Sequence, residues 1–425
     1  MSAPTRTTPH TSSRAAVLDV IRAAGTISRV SLVNATGLTG ATISTVVRGL
    51  IDDGLVQETG RAASTGGKRR VLLQLNPSAR YAVGIHLDHA DITYVVTDLA
   101  GAVVARISRP GAGDAAPEAV VQRMTEEAWA LVASADVDRE RLLGFGLVIP
   151  GPLSANEGMA ITPPAMRRWA DFPLGGEMRR ATGLPVVLDN DATAAALGEH
   201  WSGGVDLPPT FAALYMGSGI GAGLIVNGIS YRGSSGNTGE LGHTCLDLDG
   251  PECWCGARGC LEVLAGPAAV VAAARADRRL ARAAGLSRRD RTPDQSVIPD
   301  FAAVSRAARR GDESALALLE RSARYVAVAV RNLANIMDLE AVVLTGPSFA
   351  IAGPSYLPAV SRELDGMFFA RANHTVEMRL SRAAATAPAI GAAAMVLQSE
   401  LVPLHSGLRL PENLQQSEPP LSPAS

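Results

Sequence analysis

Four side chains that could bind a soft divalent metal ion occur within eighteen residues of this sequence. They are one imidazole and three thiols, His243, Cys253, Cys255 and Cys260. Tetrahedral zinc favours such a Cys3His set, and a site that is closed by four protein ligands is structural rather than catalytic. The spacing therefore predicts a structural Zn2+ site in a loop over residues 243–260.

Two other interpretations of the same segment are open: the thiols could form disulfides, or they could be ordinary loop residues. All four cysteines of the chain lie here, with Cys245 as the spare one, whereas a disulfide scaffold would spread them through a short secreted chain. Residues 1–14 lack the apolar core of a signal peptide, and no stretch approaches the length of a membrane span. A cytoplasmic protein with no membrane partner is therefore expected, and metal binding is favoured over disulfides.

The charge of the chain is unevenly distributed. Residues 1–80 carry ten basic and four acidic residues, a net charge of +6, whereas the whole chain of 425 residues has a net charge of −2. Residues 81–425 must then carry a net charge of −8. A basic head on an acidic body suggests that the head binds a polyanion. The length and the hydrophobic content of 47% allow two or three packed units.

The basic head has the pattern of a winged helix-turn-helix over residues 13–77. Apolar periodicity and capping residues predict three helices, over residues 13–24, from Ser28 to Ala35, and from Thr39 or Thr42 to Asp53, with a turn at Gly37. Two strands, over residues 55–58 and 71–75, would form the wing. This arrangement predicts binding to operator DNA.

The expected DNA contacts fall into two groups. The third helix would present to a major groove the side chains of Thr42, Ser44, Thr45 and Arg48. The wing would neutralise phosphates or enter a minor groove through Lys68, Arg69 and Arg70. A winged module that binds protein, or a basic loop without a partner, is the alternative.

The acidic body alternates strands with helices in two sets, which predicts two β-rich lobes with a ligand cleft between them. The first set comprises strands over residues 81–88, 91–98, 103–108 and 142–149 and a helix over residues 117–133. The second comprises strands over residues 211–216, 220–226, near 229 and over 341–344, and helices over residues 312–337 and after 387. Residues 278–300 are charged and are predicted to be a surface insertion, and residues 1–12 and 403–425 to be disordered tails.

Three motifs resemble the ROK family, which groups bacterial repressors and sugar kinases. They are Leu188-Asp189-Asn190-Asp191-Ala192, the glycine-rich run from Gly217 to Gly223, and the zinc segment. The resemblance covers residues 80–400, and a winged head followed by Leu75-Asn76-Pro77 is similar to the regulator branch, which includes xylose, N-acetylglucosamine and glucose repressors. It implies an α/β fold with two lobes of the actin-like (ribonuclease H-like) sugar-kinase type.

The same resemblance implies which residues hold a sugar. By family motif, sugar hydroxyls would be bound by Asn190, Asp191, Glu240, His243 and Glu262. Carboxylates and amides suit this role because they donate or accept hydrogen bonds in fixed directions. One ring nitrogen of His243 could bind zinc while the other faces the sugar.

Departures from the kinase pattern bear on catalysis. Family kinases carry Asp-x-Gly-Gly-Thr in the first hairpin, where this chain has His86-Leu87-Asp88-His89-Ala90, and the late segment Thr345-Gly346-Pro347-Ser348 is altered too. The glycines from Gly217 to Gly223 are retained, and Asp191 matches the kinase base. ATP use and catalysis are therefore not expected, although an active sugar kinase with an appended DNA-binding head, with Asp191 as the base, is the alternative.

Taken together, the sequence predicts a sugar-responsive transcriptional regulator, a repressor of carbohydrate genes, that binds operator DNA as a homodimer or homotetramer. The effector would be a sugar or a sugar phosphate. Pro164-Ala165 stands where many family members have Pro-Asn, so a hydrogen-bonding amide is missing. Both a sugar and a sugar phosphate are therefore open as the effector. A sensor that binds a transporter component instead of a sugar is a third possibility.

Overall fold

The computed structural model describes residues 9–61, 70–153, 158–159, 164–202, 207–286 and 297–398. The predictions for residues 1–8, Lys68, Arg69 and residues 403–425 fall outside the described residues. Among the described residues, none of the helices taken singly has the length and apolar character needed to cross a membrane, although one sharply bent pair passes on these criteria.

The head contains the predicted helix-turn-helix and wing strands. Its elements are α1 (Pro9–Ala24), β1 (Ile27–Ser28), α2 (Arg29–Thr36), α3 (Gly40–Asp52), β2 (Val56–Arg61) and β3 (Val71–Leu75), and the strands form a sheet in the order β1-β3-β2. Helix α1 begins at Pro9, four residues before the predicted start of the head at residue 13. Proline is accepted in the first turn because the amide hydrogen that it lacks has no partner within the helix.

Local capping explains where the helices of the head begin and end. The Ser28 hydroxyl accepts a hydrogen bond from the Ser31 amide at 3.2 Å, and Thr39, the earlier of the two candidates, caps α3. Gly37 ends α2 with a φ of +67°, a left-handed conformation that suits glycine. The turn between α2 and α3 is thus fixed by residues visible in the sequence.

The first lobe is a five-stranded sheet in the order β6-β5-β4-β7-β8. Its strands are β4 (Tyr81–Leu87), β5 (Asp91–Asp98), β6 (Val103–Pro110), β7 (Leu142–Ile149) and β8 (Val186–Asn190). Its helices are α4 (Pro117–Ser134), α5 (Leu174–Thr182) and α6 (Asp191–Ser202). The first three strands are antiparallel, and β7 and β8 then add in parallel.

The second lobe repeats this plan in the order β11-β10-β9-β12-β13. Its strands are β9 (Phe211–Met216), β10 (Ile220–Val226), β11 (Ile229–Ser230), β12 (Ala341–Thr345) and β13 (Glu377–Leu380). Its helices are α7 (Leu261–Ala265), α8 (Pro267–Ala276), α9 (Arg278–Ala283), α10 (Ile298–Arg309), α11 (Glu313–Met337) and α12 (Pro347–Met367), and α13 (Ala387–Leu397) follows the last strand. Two sheets of the same strand order are what the actin-like prediction requires.

The described parts of the charged segment 278–300, residues 278–286 and 297–300, differ from the prediction of a surface insertion. Residues 278–283 form α9, and Leu280 in that helix is fully buried in the core of the second lobe. Asp300 lies in the first turn of α10 and is largely buried. One apolar anchor among the arginines of α9 is enough to fix this helix, because the arginine side chains can extend into solvent.

Two helices cross between the lobes with almost no side-chain volume at their contact. A Cβ atom at Gly391 of α13 would lie 1.8 Å from the backbone oxygen of Ala194 in α6, and one at Gly198 would lie 2.1 Å from that of Ala387. On the first sheet, Gly84 and Gly146 make equally close contact with the backbone of α13. The junction of the lobes is therefore a backbone-to-backbone contact that tolerates only glycine at these positions.

Helix α6 also connects the lobe junction to the head. It begins at Asp191, and Trp201 near its end lies 4.3 Å under the guanidinium of Arg22 in α1, which Asp19 holds at 3.0 Å. On another side of the Trp201 ring is Gly101, with a φ of +88°, where a Cβ atom would lie 2.6 Å from the ring. The buried core of the head is continuous with that of the first lobe at this point.

His200, next to that contact, predicts a pH dependence of stability. Burial, followed by the positive charge of Arg22, lowers the pKa of His200 to about 4. Protonation of His200 therefore favours the unfolded chain. The stability that the neutral imidazole contributes is fully present above pH of about 6.5, and it is lost as the pH falls toward 4. We expect the free energy of unfolding to drop by on the order of 2 kcal/mol over this window, after allowance for the partial exposure of the side chain.

Urea unfolding at pH 7.5, 6 and 5 measures this effect. The matched variant His200→Gln cannot titrate and should show a shallower fall with acidification. Equal falls in the two proteins would exclude His200 as the source.

Candidate functional site

A cavity of about 500 Å³ lies between the two lobes. Its lining includes all five residues for which the family motif implies sugar binding, Asn190, Asp191, Glu240, His243 and Glu262. They come from the junction of β8 with α6, from the 3-10 turn Leu241–His243 and its N-cap Glu240, and from α7. The fold thus gathers into one cleft residues that are up to 72 positions apart in the sequence.

Asn190 and Asp191 are fixed by the start of α6. The Asn190 side-chain oxygen accepts a hydrogen bond from the Thr193 amide at 3.0 Å, and its side-chain nitrogen donates to the Gly151 carbonyl at 3.1 Å. The Asp191 Oδ1 atom accepts from the Ala192 amide at 2.8 Å. Both side chains therefore keep one orientation toward the cleft.

The other carboxylate oxygen of Asp191 faces a histidine. Its Oδ2 atom is 3.7 Å from Nε2 of His86, which is buried and packs edge-on against Tyr215. Burial by itself would lower the pKa of His86, but the carboxylate of Asp191, followed by Asp88 and Asp91, raises it. A protonated His86 would therefore form an ion pair with Asp191 beside the place of a substrate hydroxyl, a pairing that sequence reasoning did not foresee.

The altered first hairpin lines the same cavity through Asp88, His89 and Ala90. The Asp88 Oδ1 atom accepts a hydrogen bond from the His89 amide at 2.6 Å, and burial raises the pKa of Asp88 despite the nearby charge of His86. Side chains therefore occupy this wall of the cleft, where family kinases carry glycines.

Glu262 is held from two sides. Its Oε2 atom accepts a hydrogen bond from the Ile220 amide at 3.0 Å, and its Oε1 atom accepts one from the Trp254 indole at 2.7 Å. The Glu240 carboxyl faces the same cavity, and burial, followed by the charges of Asp191 and Glu262, raises the pKa of Glu240 to about 7. The cleft thus presents several hydrogen-bonding oxygens in a defined arrangement.

The glycines of the hairpin from Gly217 to Gly223, which are typical of nucleotide binding, are explained here by close packing. A Cβ atom at Gly219 would lie 2.4 Å from a Glu262 carboxylate oxygen, and one at Gly223 would lie 2.3 Å from the backbone oxygen of Ala192. Gly221 is similarly close to the Ala192 side chain. These glycines are required by Glu262 and α6, so their retention says little about ATP.

The four predicted metal ligands form one cluster. Their ligating atoms all lie within 4.8 Å of one another, and Cys255 and Cys260 have their sulfur atoms 3.8 Å apart. A tetrahedral zinc ion with Zn–S bonds of about 2.3 Å would separate its sulfur ligands by about 3.8 Å, whereas a disulfide needs about 2.05 Å. All four cysteines are free thiols and Cys245 is exposed, so the disulfide alternative is wrong and the donor set fits zinc.

The metal cluster and the cleft share a wall. Nδ1 of His243 is 3.6 Å from the Cys253 sulfur, and the same imidazole lines the cavity. Trp254, from within the cysteine loop, packs edge-on against His243 with ring centroids 4.9 Å apart and also donates to Glu262. Sequence reasoning missed Trp254, although a tryptophan inside a metal loop was a visible signal.

The second lobe also reaches across the mouth of the cleft. Arg232 forms an ion pair with the buried carboxylate of Asp189 in β8. The Asn237 side chain accepts a hydrogen bond from the Leu153 amide at 2.7 Å and donates one to the Leu153 carbonyl at 3.3 Å. These contacts join loops of opposite lobes beside Asn190.

The predicted DNA-reading residues lie on the outer face of α3. Ser44, Thr45 and Arg48 are exposed, as is Arg70 at the base of the wing. Thr42 is half-buried, and its hydroxyl is 2.9 Å from that of Thr39 in the helix cap. The Ser44 hydroxyl donates to the Gly40 carbonyl at 2.8 Å, so Thr45 and Arg48 are the freer pair for outside contacts.

All residues that line this cleft belong to a segment that matches a known protein family. The ROK family profile matches residues 82–399, well over half of the chain. The chain belongs to the ROK family. Both lobes are thus part of a ROK domain, and the head precedes it.

ROK relatives include both repressors and kinases. The xylose repressor of Bacillus subtilis (strain 168) is 28% identical over 371 residues, which cover 87% of this chain and 91% of the relative. The glucokinase of Halalkalibacterium halodurans is also 28% identical, over 73% of this chain and 97% of the relative. A crystal structure of a ROK family transcriptional regulator, a homologue of the E. coli MLC protein, has a TM-score of 0.67 at 24% identity and covers 92% of this chain and 98% of that one.

Proposed function

We propose that this protein is a sugar-responsive transcriptional repressor that binds operator DNA as a homodimer or homotetramer and does not use ATP. The observation that carries the proposal is the combination of a helix-turn-helix head with a ROK cleft in which the would-be base, Asp191, is paired with His86. The xylose repressor similarity extends over nearly the full length of both chains and supports the same function. The glucokinase similarity is equal in identity, so the activity has to be tested directly.

Sensing rests on the coupling between the metal loop and the cleft. A Zn2+ ion held by His243 and the three cysteines would supply a rigid cross-link, because closed four-ligand zinc sites are structural. It would keep His243 and Trp254 in place, and Trp254 in turn orients Glu262. The polar groups of the cleft would then be preorganised for sugar hydroxyls.

A direct test of sensing combines thermal shift with DNA binding. The purified full-length protein is screened against xylose, glucose and N-acetylglucosamine, together with their phosphates, since a ligand that binds the native state raises Tm. Any sugar that raises Tm should also change the affinity for operator DNA. A sugar that binds tightly without altering DNA affinity would contradict the repressor function.

The DNA interface makes a quantitative prediction. We expect Arg48→Ala and Arg70→Ala each to flatten the dependence of log K on log salt concentration by about 0.9, if each arginine neutralises one phosphate. A base contact by Arg48 would instead lower specificity by on the order of 1 to 3 kcal/mol. Arg321→Ala, an exposed arginine of α11, is the matched control and should leave the slope unchanged. Unaltered slopes in both head variants would remove α3 and the wing base from the interface.

An active sugar kinase would release ADP in the presence of its sugar, whereas the proposed repressor would not. With ATP, Mg2+ and a hexose panel, we expect no sugar-dependent release of ADP, because both carboxylate oxygens of Asp191 face groups of the protein itself. The measurement is a coupled ADP assay on the zinc-loaded protein. Sugar phosphorylation that disappears in Asp191→Asn would overturn the proposal and assign the chain to the kinases.

A further inference from the structure

One wall of the ligand cleft is largely apolar and consists of short side chains together with one arginine. Helix α8 presents Ala268, Val271, Ala272 and Arg275 to the cavity, at the spacing of residues that share one helix face, and Val297 lies beside them. Ala268 and Ala272 are both exposed to the open space. Small side chains on this face leave room that the polar groups at the start of α6 and on the metal loop do not use.

The size of the cavity is also larger than a single sugar ring needs. A volume of about 500 Å³ is in the range that buries ligands of drug size, which are held by mostly apolar walls and a few oriented polar groups. A monosaccharide that is hydrogen-bonded to Asn190, Asp191 and Glu240 would leave the α8 wall uncovered. Exposed apolar surface in a binding cleft contributes affinity only when the ligand covers it.

The charges of the cleft disfavour an anionic ligand. Four carboxyl groups line it, those of Asp88, Asp191, Glu240 and Glu262. The cation on the α8 wall, Arg275, donates to Asp300 at 2.6 Å, so its charge is largely balanced within the protein. The carboxylates of Asp191 and Glu262 would repel a phosphate in the same cavity, whereas an uncharged group meets no such cost.

We propose that the effector is an uncharged sugar that carries an apolar substituent, with the sugar ring at Asn190, Asp191 and Glu240 and the substituent against the α8 wall. This inference rests on the proposed sensing function and narrows its ligand class. Ala165, which lines the cavity where many family members have asparagine, fits the same class because it adds apolar surface instead of an amide. The carboxyl groups of the cleft should therefore weaken the binding of sugar phosphates.

Calorimetric titration of the zinc-loaded, full-length protein tests this. The probes are xylose, glucose and N-acetylglucosamine, each as the methyl glycoside and as the phenyl α- and β-glycosides, with the 6-O-benzyl ethers and 6-phosphates of the two hexoses. For the sugar that binds, we expect an aryl derivative to bind about ten- to a hundredfold tighter than the methyl glycoside. Its binding should also show a more negative heat-capacity change.

A pair of variants locates the substituent. Ala272→Trp should fill the α8 wall and remove the advantage of the aryl derivative while the methyl glycoside still binds. Ala273→Trp, an exposed alanine of the same helix that does not line the cavity, is the matched control and should keep the advantage. An advantage that survives in Ala272→Trp would overturn the assignment to this wall.

The remaining outcomes separate this inference from the proposed function. Equal affinities of methyl and aryl derivatives, or tighter binding of a 6-phosphate, would overturn the inference while leaving a sugar sensor. Absence of binding by every probe would overturn both.

Discussion

Replacing Cys253 by serine should abolish stoichiometric zinc binding and weaken ligand binding in the cleft at the same time. The Cys253 sulfur is buried and lies 3.6 Å from Nδ1 of His243, so its loss removes a ligand and frees the imidazole. Structural zinc sites contribute on the order of 10 kcal/mol to the folding of small zinc domains, and here that energy would order the loop containing Trp254. We expect zinc content to fall from one ion per chain to well under one.

The matched control is Cys245→Ser, which changes the exposed thiol outside the cluster. It should retain zinc, thermal stability and ligand affinity. Metal content is measured by mass spectrometry, and ligand affinity by calorimetry on the same samples. A Cys253→Ser protein with full zinc content would remove this thiol from the site, and one without zinc but with unchanged ligand affinity would disprove the coupling to the cleft.

The second large effect is expected for Gly391→Ala at the junction of the lobes. The added methyl group would be placed 1.8 Å from the backbone oxygen of Ala194, so the helices must separate. Overpacking typically costs 1 to 3 kcal/mol, and because a backbone oxygen cannot rotate away from the added methyl group, we expect a cost of about 3 kcal/mol. Urea unfolding monitored by circular dichroism measures the loss.

Gly176→Ala is the control for helix propensity. Gly176 lies in α5 with a negative φ, and its added Cβ would have no atom within 4 Å. The exchange should therefore stabilise the protein by up to about 1 kcal/mol. If Gly391→Ala were as stable as Gly176→Ala, the close contact of α6 with α13 would not be a constraint in solution.

Local features of the sequence predicted much of the fold. Ser28, Thr39 and Gly37 specify the ends of two helices through contacts with residues no more than four positions away. The metal cluster could be predicted for the same reason, since its ligands fall within eighteen residues and share one chemistry. Eight of the ten described strands of the two lobes followed from their apolar runs, whereas β8 and β13, which are short and lie at the edges of the sheets, were not predicted.

Long-range contacts were out of reach of the same reasoning. Nothing near His86 in the sequence indicates that it faces Asp191, 105 positions later. Gly219 resembled a phosphate-binding residue until the structure placed Glu262 against it. Leu280 was one apolar residue in a charged run, and only a three-dimensional core to receive it distinguishes an anchored helix from a surface loop.

Helix α6 runs from the ligand cleft to the head, so a small rotation about its first residue is amplified at its far end. Its twelve residues span about 18 Å, so a tilt of about 10° around Asp191 would move the far end by about 3 Å. The guanidinium of Arg22 sits 4.3 Å above Trp201 at that end, and such attraction fades beyond about 6 Å. If ligand binding tilts α6 by this amount, the contact of Arg22 with Trp201 would break, and the head would be repositioned by a small movement at the cleft.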